Sequence, residues 1–193
     1  AYFNISGVKP VDNTFTIEEE GDLYWLSQNQ EFLQSGKNVV EFKEGVELDM
    51  AAYCNSELEK FAPISNNTLS ALTVNGNGAT IKNLEVNAVE SVGLFGYVIG
   101  SIDGINVVDS KITGNHWVGG IAGRICGSIK NCHVDGATIV ATPNKVGDDY
   151  NNGDKVGGIV GYSAPNSAIG ASEPIENCSA RNSKISAFRD LGG

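Results

Sequence analysis

The sequence predicts an all-β fold, a right-handed parallel β-helix (a solenoid) with an α-helical cap at its N-terminal end. Three observations predict it. A Gly-x-x-Gly unit recurs as Gly93-Leu94-Phe95-Gly96, Gly120-Ile121-Ala122-Gly123 and Gly158-Ile159-Val160-Gly161. A second unit recurs with it: Ile81-Lys82-Asn83-Leu84, Ile102-Asp103-Gly104-Ile105, Ile129-Lys130-Asn131-Cys132 and Ile175-Glu176-Asn177-Cys178. The spacing between them is kept, 9 residues from glycine to isoleucine (93 to 102, 120 to 129) and 18 from isoleucine to the next glycine (102 to 120, 175 to 193). The period is therefore 27 residues, lengthened once by about eleven and once by about eight within "TPNKVGDDYNNGD" (142–154) and "SAPNSAIGASEP" (163–174). Strands repeated in this way bury their apolar faces by stacking on the same strands of the next unit.

At the N-terminal end, Thr16-Ile17-Glu18-Glu19 has the form of a capping box, with acidic residues suited to a helix start. Leu23, Leu26 and Leu33, with Trp25 and Phe32, form a helical stripe, and Ser35-Gly36 supplies a stop. These signals predict a helix over about 16–35 that covers the first raw strand edge, which otherwise invites aggregation. "NVVEFKEGVELDM" (38–50) alternates as a strand. The expected organisation is an N-terminal segment, 1–50, followed by repeats over 51–193, in one structural domain.

Within the repeats, apolar residues recur at matching rank: Ile81/Ile102/Ile129/Ile175, Val86/Val107/Val134/Ala180 and Ile112/Ile139/Ile185. Two further ranks, Asn83/Gly104/Asn131/Asn177 and Asp109/Gly136/Asn182, hold residues that tolerate positive φ, so both are expected to be corners. Asparagines stacked at a corner would form an amide ladder. Cys132 and Cys178 share a rank with Leu84 and Ile105. This reads as an inward lane of stacked, reduced thiols, with a disulfide as the alternative at strand spacing. Cys54 and Cys126 lack partners of matching rank. The glycines precede strand-like runs rather than a helix, so they form no phosphate-binding loop. They mark corners and narrow places.

The 193 residues carry 13 Lys+Arg against 23 Asp+Glu, a formal net charge of −10. That balance argues against nucleic acid or an anionic membrane surface as a partner. No apolar run reaches membrane-spanning length, so no membrane insertion by this segment is expected. The 24 glycines show no Gly-X-Y period, which excludes collagen. "AYFNISGVKP" is no signal peptide, and a mature fragment of a secreted protein or a cytosolic protein would both begin this way. Asn4, Asn66 and Asn177 open glycosylation sequons. The closing Leu191-Gly192-Gly193 reads as the opening of another unit, as in a stretch of a longer protein or a terminal strand that pairs elsewhere.

No catalytic centre, cofactor or metal site is expected. Glycan cleavage needs clustered acids, with or without cationic stabilisers. The acids here are scattered: Glu18 to Glu20 at the helix start, Asp148, Asp149 and Asp154 in an insertion, Glu173 and Glu176 beside a turn. The arginines are Arg124, Arg181 and Arg189. Asp148, Asp149 and Asp154 form a weak calcium candidate, because Tyr150 falls where an EF-hand register needs a ligand. His116 and His133 lie in no metalloprotease or triad spacing, and His133 is expected to point outward.

A binding surface is the stronger expectation. Tyr97, Arg124 and Tyr162 follow the second glycine of each unit and form an outward lane, with Trp117 beside it. By alternation Phe95, Ala122 and Val160 also face out, unless the glycine turns them inward, which is the favoured reading.

The units "VGLFGYVIGSIDGINV", "VGGIAGRICGSIKNCHV" and "VGGIVGY…IENCSA" resemble the GLUG-motif repeats of bacterial cell-surface and secreted proteins. "FTIEEEGDLYWLSQNQEFLQSGKNVVEF…VELDM" resembles the helix and strand that often precede them, and "LTVNGNGATIKNLEV" (72–86) the lead-in to the first repeat. The likeness covers roughly 14–193, departing at Gly104, at both insertions and at "CNSELEKFAPISNN" (54–67). It implies an extracellular or cell-surface adhesin-like module or stalk. The expected function is therefore non-catalytic adhesion, binding or scaffolding, with a host or surface glycan or protein as partner and further repeats or domains in a longer parent chain. The alternative is a glycan-processing enzyme or its accessory domain.

Overall fold

In the computed structural model the described residues are 12–33, 38–54, 58–65, 71–146, 149–151, 153–164, 174–189 and 192. They are mostly strand, in three parallel sheets and one short antiparallel pair. The largest sheet runs in the order Thr14–Ile17, Asn38–Phe42, Ala71–Lys82, Phe95–Val108, Ala122–Lys130, Val160–Ser163. A second holds Glu85–Asn87, Lys111–Gly114, Thr138–Ala141 and Lys184–Ser186. A third holds Glu90–Val92, His116–Gly119 and Asp154–Gly157. Among the described residues three successive repeats contribute strand to all three sheets in turn, the last one to the first two, and each pairs in parallel with its neighbours.

The register follows the 27-residue period. Ile102 pairs with Ile129 and Ile129 with Ile175, and the same holds for Val107, Val134 and Ala180 and for Ile112, Ile139 and Ile185. Ile102, Ile129, Val107, Ile112 and Ile139 have no exposure, and burying each such side chain contributes about 1.5–3 kcal/mol. Ile175, of the same rank, is 45% exposed, since no described strand pairs on its far side.

The first repeat corrects the expected alignment. Ile81 pairs with Val107, and it is Val74 that pairs with Ile102. Val86 belongs with Ile112. The cause lies in Asn75-Gly76-Asn77-Gly78, where the register shifts. The apolar-polar-Asn/Gly-apolar signature of the first corners also occurs at second corners, Ile81-Lys82-Asn83-Leu84 and Val134-Asp135-Gly136-Ala137, so the sequence alone sets the second corner of this repeat against the first corner of the others. Asn83 therefore stands with Asp109, and Ala79, not Leu84, precedes Ile105 in its lane.

The corners have the expected backbone. Asn83, Asp109, Asn131, Asn177 and Asn182 have φ between 48° and 54°, and Gly104 and Gly136 take 73° and 66°. Asn177 donates its amide to Asn131 Oδ1 at 2.7 Å, and Asn131 donates to Asp103 Oδ1 at 2.8 Å, because Gly104 offers no side chain.

The N-terminal helix is shorter than predicted, Glu20–Gln28, followed by a 3-10 turn, Gln30–Leu33. Thr14–Ile17 is instead a strand paired with Asn38–Phe42, since Phe15 and Ile17 alternate into the core. The capping box is formed by Glu19 and Asp22. Leu23 and Leu26 join the same core as Val40 and Val74, and Trp25 stacks on Phe15 at 5.4 Å. Among the described residues no helix is long and apolar enough to cross a membrane.

Candidate binding surface

The recurring glycines shape this surface by close backbone approach. A Cβ on Gly123 would stand 2.1 Å from the Ser91 carbonyl carbon, and one on Gly161 would stand 2.4 Å from the Val118 nitrogen. The starts of Ala122–Lys130 and Val160–Ser163, in the largest sheet, thus lie directly on the third sheet. Phe95 and Ala122, one place before Gly96 and Gly123, are fully buried, as favoured from the sequence, and Val160, before Gly161, is half-buried against the same core.

This approach brings two lanes side by side. In the first, Arg124 is in register with Tyr97 on one side and Tyr162 on the other. In the second, Ser91, Trp117 and Lys155 share a rank, and all three have left-handed backbone, with φ of 52° to 53°. That conformation costs a non-glycine residue about 1–2 kcal/mol. It also breaks strand alternation, so the adjacent rings of His116 and Trp117 lie 4.3 Å apart.

All four residues singled out from the sequence therefore meet. The Arg124 guanidinium lies 4.4 Å from the Tyr97 ring centre, 4.9 Å from Trp117 and 5.6 Å from Tyr162. Trp117 and Tyr162 are nearly parallel, 5.6 Å between centres. Arg124 has no carboxylate partner among the described residues, whereas Lys111 pairs with Glu85 and Lys130 with Glu176 across neighbouring strands. Arg124 Nε and Trp117 Nε1 are the buried side-chain nitrogens of the described residues that have no hydrogen-bond partner.

No family model matches the chain. No solved structure matches it either. Over 107 residues, 52% of this chain, the sequence is 36% identical to Halomucin of Haloquadratum walsbyi, and the match covers 1% of that protein. The chain thus spans a small fraction of this relative's length.

Around the four residues the structure gathers groups that the sequence did not place with them. Lys155 lies 6.0 Å over the Tyr162 ring. Asp154 is in register with His116 and bonds its Nδ1, with Lys155 at 3.5 Å and Arg189 at 3.8 Å. Of the calcium candidate, the Asp154 carboxylate is thus engaged by basic groups. Asp148 lies outside the described residues, as does the Asp149 side chain. Among the described residues no three His, Cys, Asp or Glu side chains are placed to hold a metal.

Tyr97 also meets Cys126, hydroxyl to Sγ at 3.5 Å, and burial is the main cause of its raised pKa. A signal was present in rank, since Asp154 matches His116 and Lys155 matches Trp117, but the insertion before Asp154 hid it. His133 lies apart, on the outer side of the largest sheet, bonded to Ser179 at 2.9 Å. All four cysteines are free. Cys132 is fully buried, which pushes its thiol up to about 12.

Proposed function

We propose that this chain is a non-catalytic binding module of a cell-surface or secreted protein, built as a right-handed parallel β-helix of GLUG type. Its contact surface is Tyr97, Arg124, Tyr162 and Trp117. One observation carries the reading: two orphaned buried nitrogens, Arg124 Nε and Trp117 Nε1, fall in one aromatic cluster on a half-exposed surface. Buried polar groups without partners are rare and call for a ligand or a functional role. Left-handed backbone at Trp117 and Lys155 adds support, because such strain concentrates at functional sites.

The 27-residue register in three parallel sheets supports the β-helix. Likeness to a protein named for the mucins supports a place outside the cell. The partner is a surface glycan or protein, and the repeats continue in a longer parent chain. The test is a screen of the purified chain against a glycan array and a panel of extracellular-matrix proteins, beside a folded Tyr97→Ala/Tyr162→Ala variant. Binding that drops at least about tenfold in the variant is expected, since each aromatic contact is worth about 1 kcal/mol. Silence on both panels would leave a spacer and overturn the reading.

A further inference from the structure

Resting on that binding reading, the geometry points to an acidic glycan, a pyranose ring bearing a carboxylate, as the ligand of the Arg124 cluster.

Lys111 stands in register against Glu85, Lys130 against Glu176, and Arg181 against Asp135. Arg124 alone of these has aromatic neighbours in register, Tyr97 and Tyr162. Its buried nitrogen without a partner is Nε, and among the described residues its terminal nitrogens have no hydrogen bond or ion pair. The rings hold the guanidinium plane in place and leave its fork free, and a planar fork fits a carboxylate in two-point fashion.

The surrounding charge favours the same ligand. On a chain of formal net charge −10, Arg124 and Lys155 both lie over the Tyr162 ring, and Arg189 stands at Asp154, the carboxylate that Lys155 also approaches. Glu90, the other acid of that rank, stands across His116, one strand further from Lys155. An anion here meets local attraction within an acidic protein, which disfavours unselective polyanion binding. Half-exposed aromatic rings flank the fork, so the ligand should carry its anionic group on a ring with apolar faces. A uronic-acid pyranose does so.

The test is calorimetric titration at about 0.15 M salt with four probes: an oligogalacturonate, the same oligosaccharide with its carboxyls reduced to alcohols, dextran sulfate and polyglutamate. The oligogalacturonate should bind at least about tenfold more tightly than the reduced form. Arg124→Lys, which keeps the charge and the ring contacts, should lose most of that preference, and Arg124→Gln all of it, with melting curves confirming that each is folded. Equal binding of the reduced sugar would overturn the acidic ligand while leaving the binding surface standing. Equal or tighter binding of polyglutamate or dextran sulfate would overturn the uronate. Undiminished preference in Arg124→Lys would overturn the fork. If no sugar binds, yet an extracellular-matrix protein binds and loses affinity in Tyr97→Ala/Tyr162→Ala, the glycan fails and the surface survives.

Discussion

Gly123 lies so close to Ser91 that a Cβ on the glycine would stand 2.1 Å from the Ser91 carbonyl carbon. The obstacle is backbone, so no side-chain movement relieves it. Gly123→Ala should therefore separate two sheets and cost about 3 kcal/mol or more, a fall of roughly 6–12 °C in Tm for a chain of this length. Gly78→Ala is the control: nothing lies within 4 Å of its Cβ and only φ of +76° resists, so the cost should be about 1–2 kcal/mol. Thermal melts of the two variants decide, and equal losses would disprove the close sheet contact.

Cys132 makes stability fall at high pH. An ordinary thiol titrates near 9.0, and burial pushes Cys132 up to about 12. Between those values the unfolded chain has lost the proton that the folded chain keeps, so the free energy of unfolding falls as pH rises. Below pH 9 this contribution is complete and constant. Cys132→Ala should melt lower than the native chain at pH 7, from the cavity, yet lose less between pH 9 and 11. Under native conditions iodoacetamide should modify the half-buried Cys54 and Cys178 before Cys132.

What could be read from the sequence was whatever repeats with a fixed interval. Ile102 and Ile129 are legible because each follows a recurring glycine by 9 residues, Ile175 because it precedes Gly193 by 18, and Asn131 and Asn177 because few residues accept positive φ. Ile81 misaligns because one signature serves two corners. Its distance to Gly93 is 12 residues where 18 is the rule, which was the available warning. Tyr97, Arg124 and Tyr162 were legible as a lane, and Trp117 as their neighbour. Their meeting with Asp154 and Lys155 was not, because it depends on how closely Gly123 and Gly161 let two sheets approach. The helix start was misplaced because Thr16 and Glu19 match a capping box while Phe15 and Ile17 match a strand, and pairing with Asn38–Phe42 decides between them.

The corner amides stabilise the stack through Asn131, which donates to Asp103 and accepts from Asn177 at φ of 51°. Asn131→Gly keeps the backbone and loses two exposed hydrogen bonds, for about 1 kcal/mol. Asn131→Ala adds the cost of left-handed backbone, about 1–2 kcal/mol more. Asn131→Asp sets a carboxylate beside Asp103, so its loss should shrink as salt rises. Urea titrations at low and high salt check both the order and the salt dependence.

Asp154 is the group on which three bases depend, since His116, Lys155 and Arg189 all approach it. Removing it leaves like charges together and His116 without its hydrogen bond. Removing His116 leaves Asp154 still flanked by two cations. Asp154→Ala should therefore cost about 2–3 kcal/mol, below the value for a fully buried pair because Lys155 and Arg189 reach solvent, and His116→Ala should cost about 1 kcal/mol. Double-mutant cycles measured by urea unfolding sharpen the point. Coupling of Asp154 to His116 should exceed its coupling to Arg189, because the side chains are 11% and 17% exposed in the first pair while that of Arg189 is 54% exposed. If Arg189 couples more strongly, solvent screening does not govern this lane, and Arg189 rather than His116 is the partner that fixes Asp154.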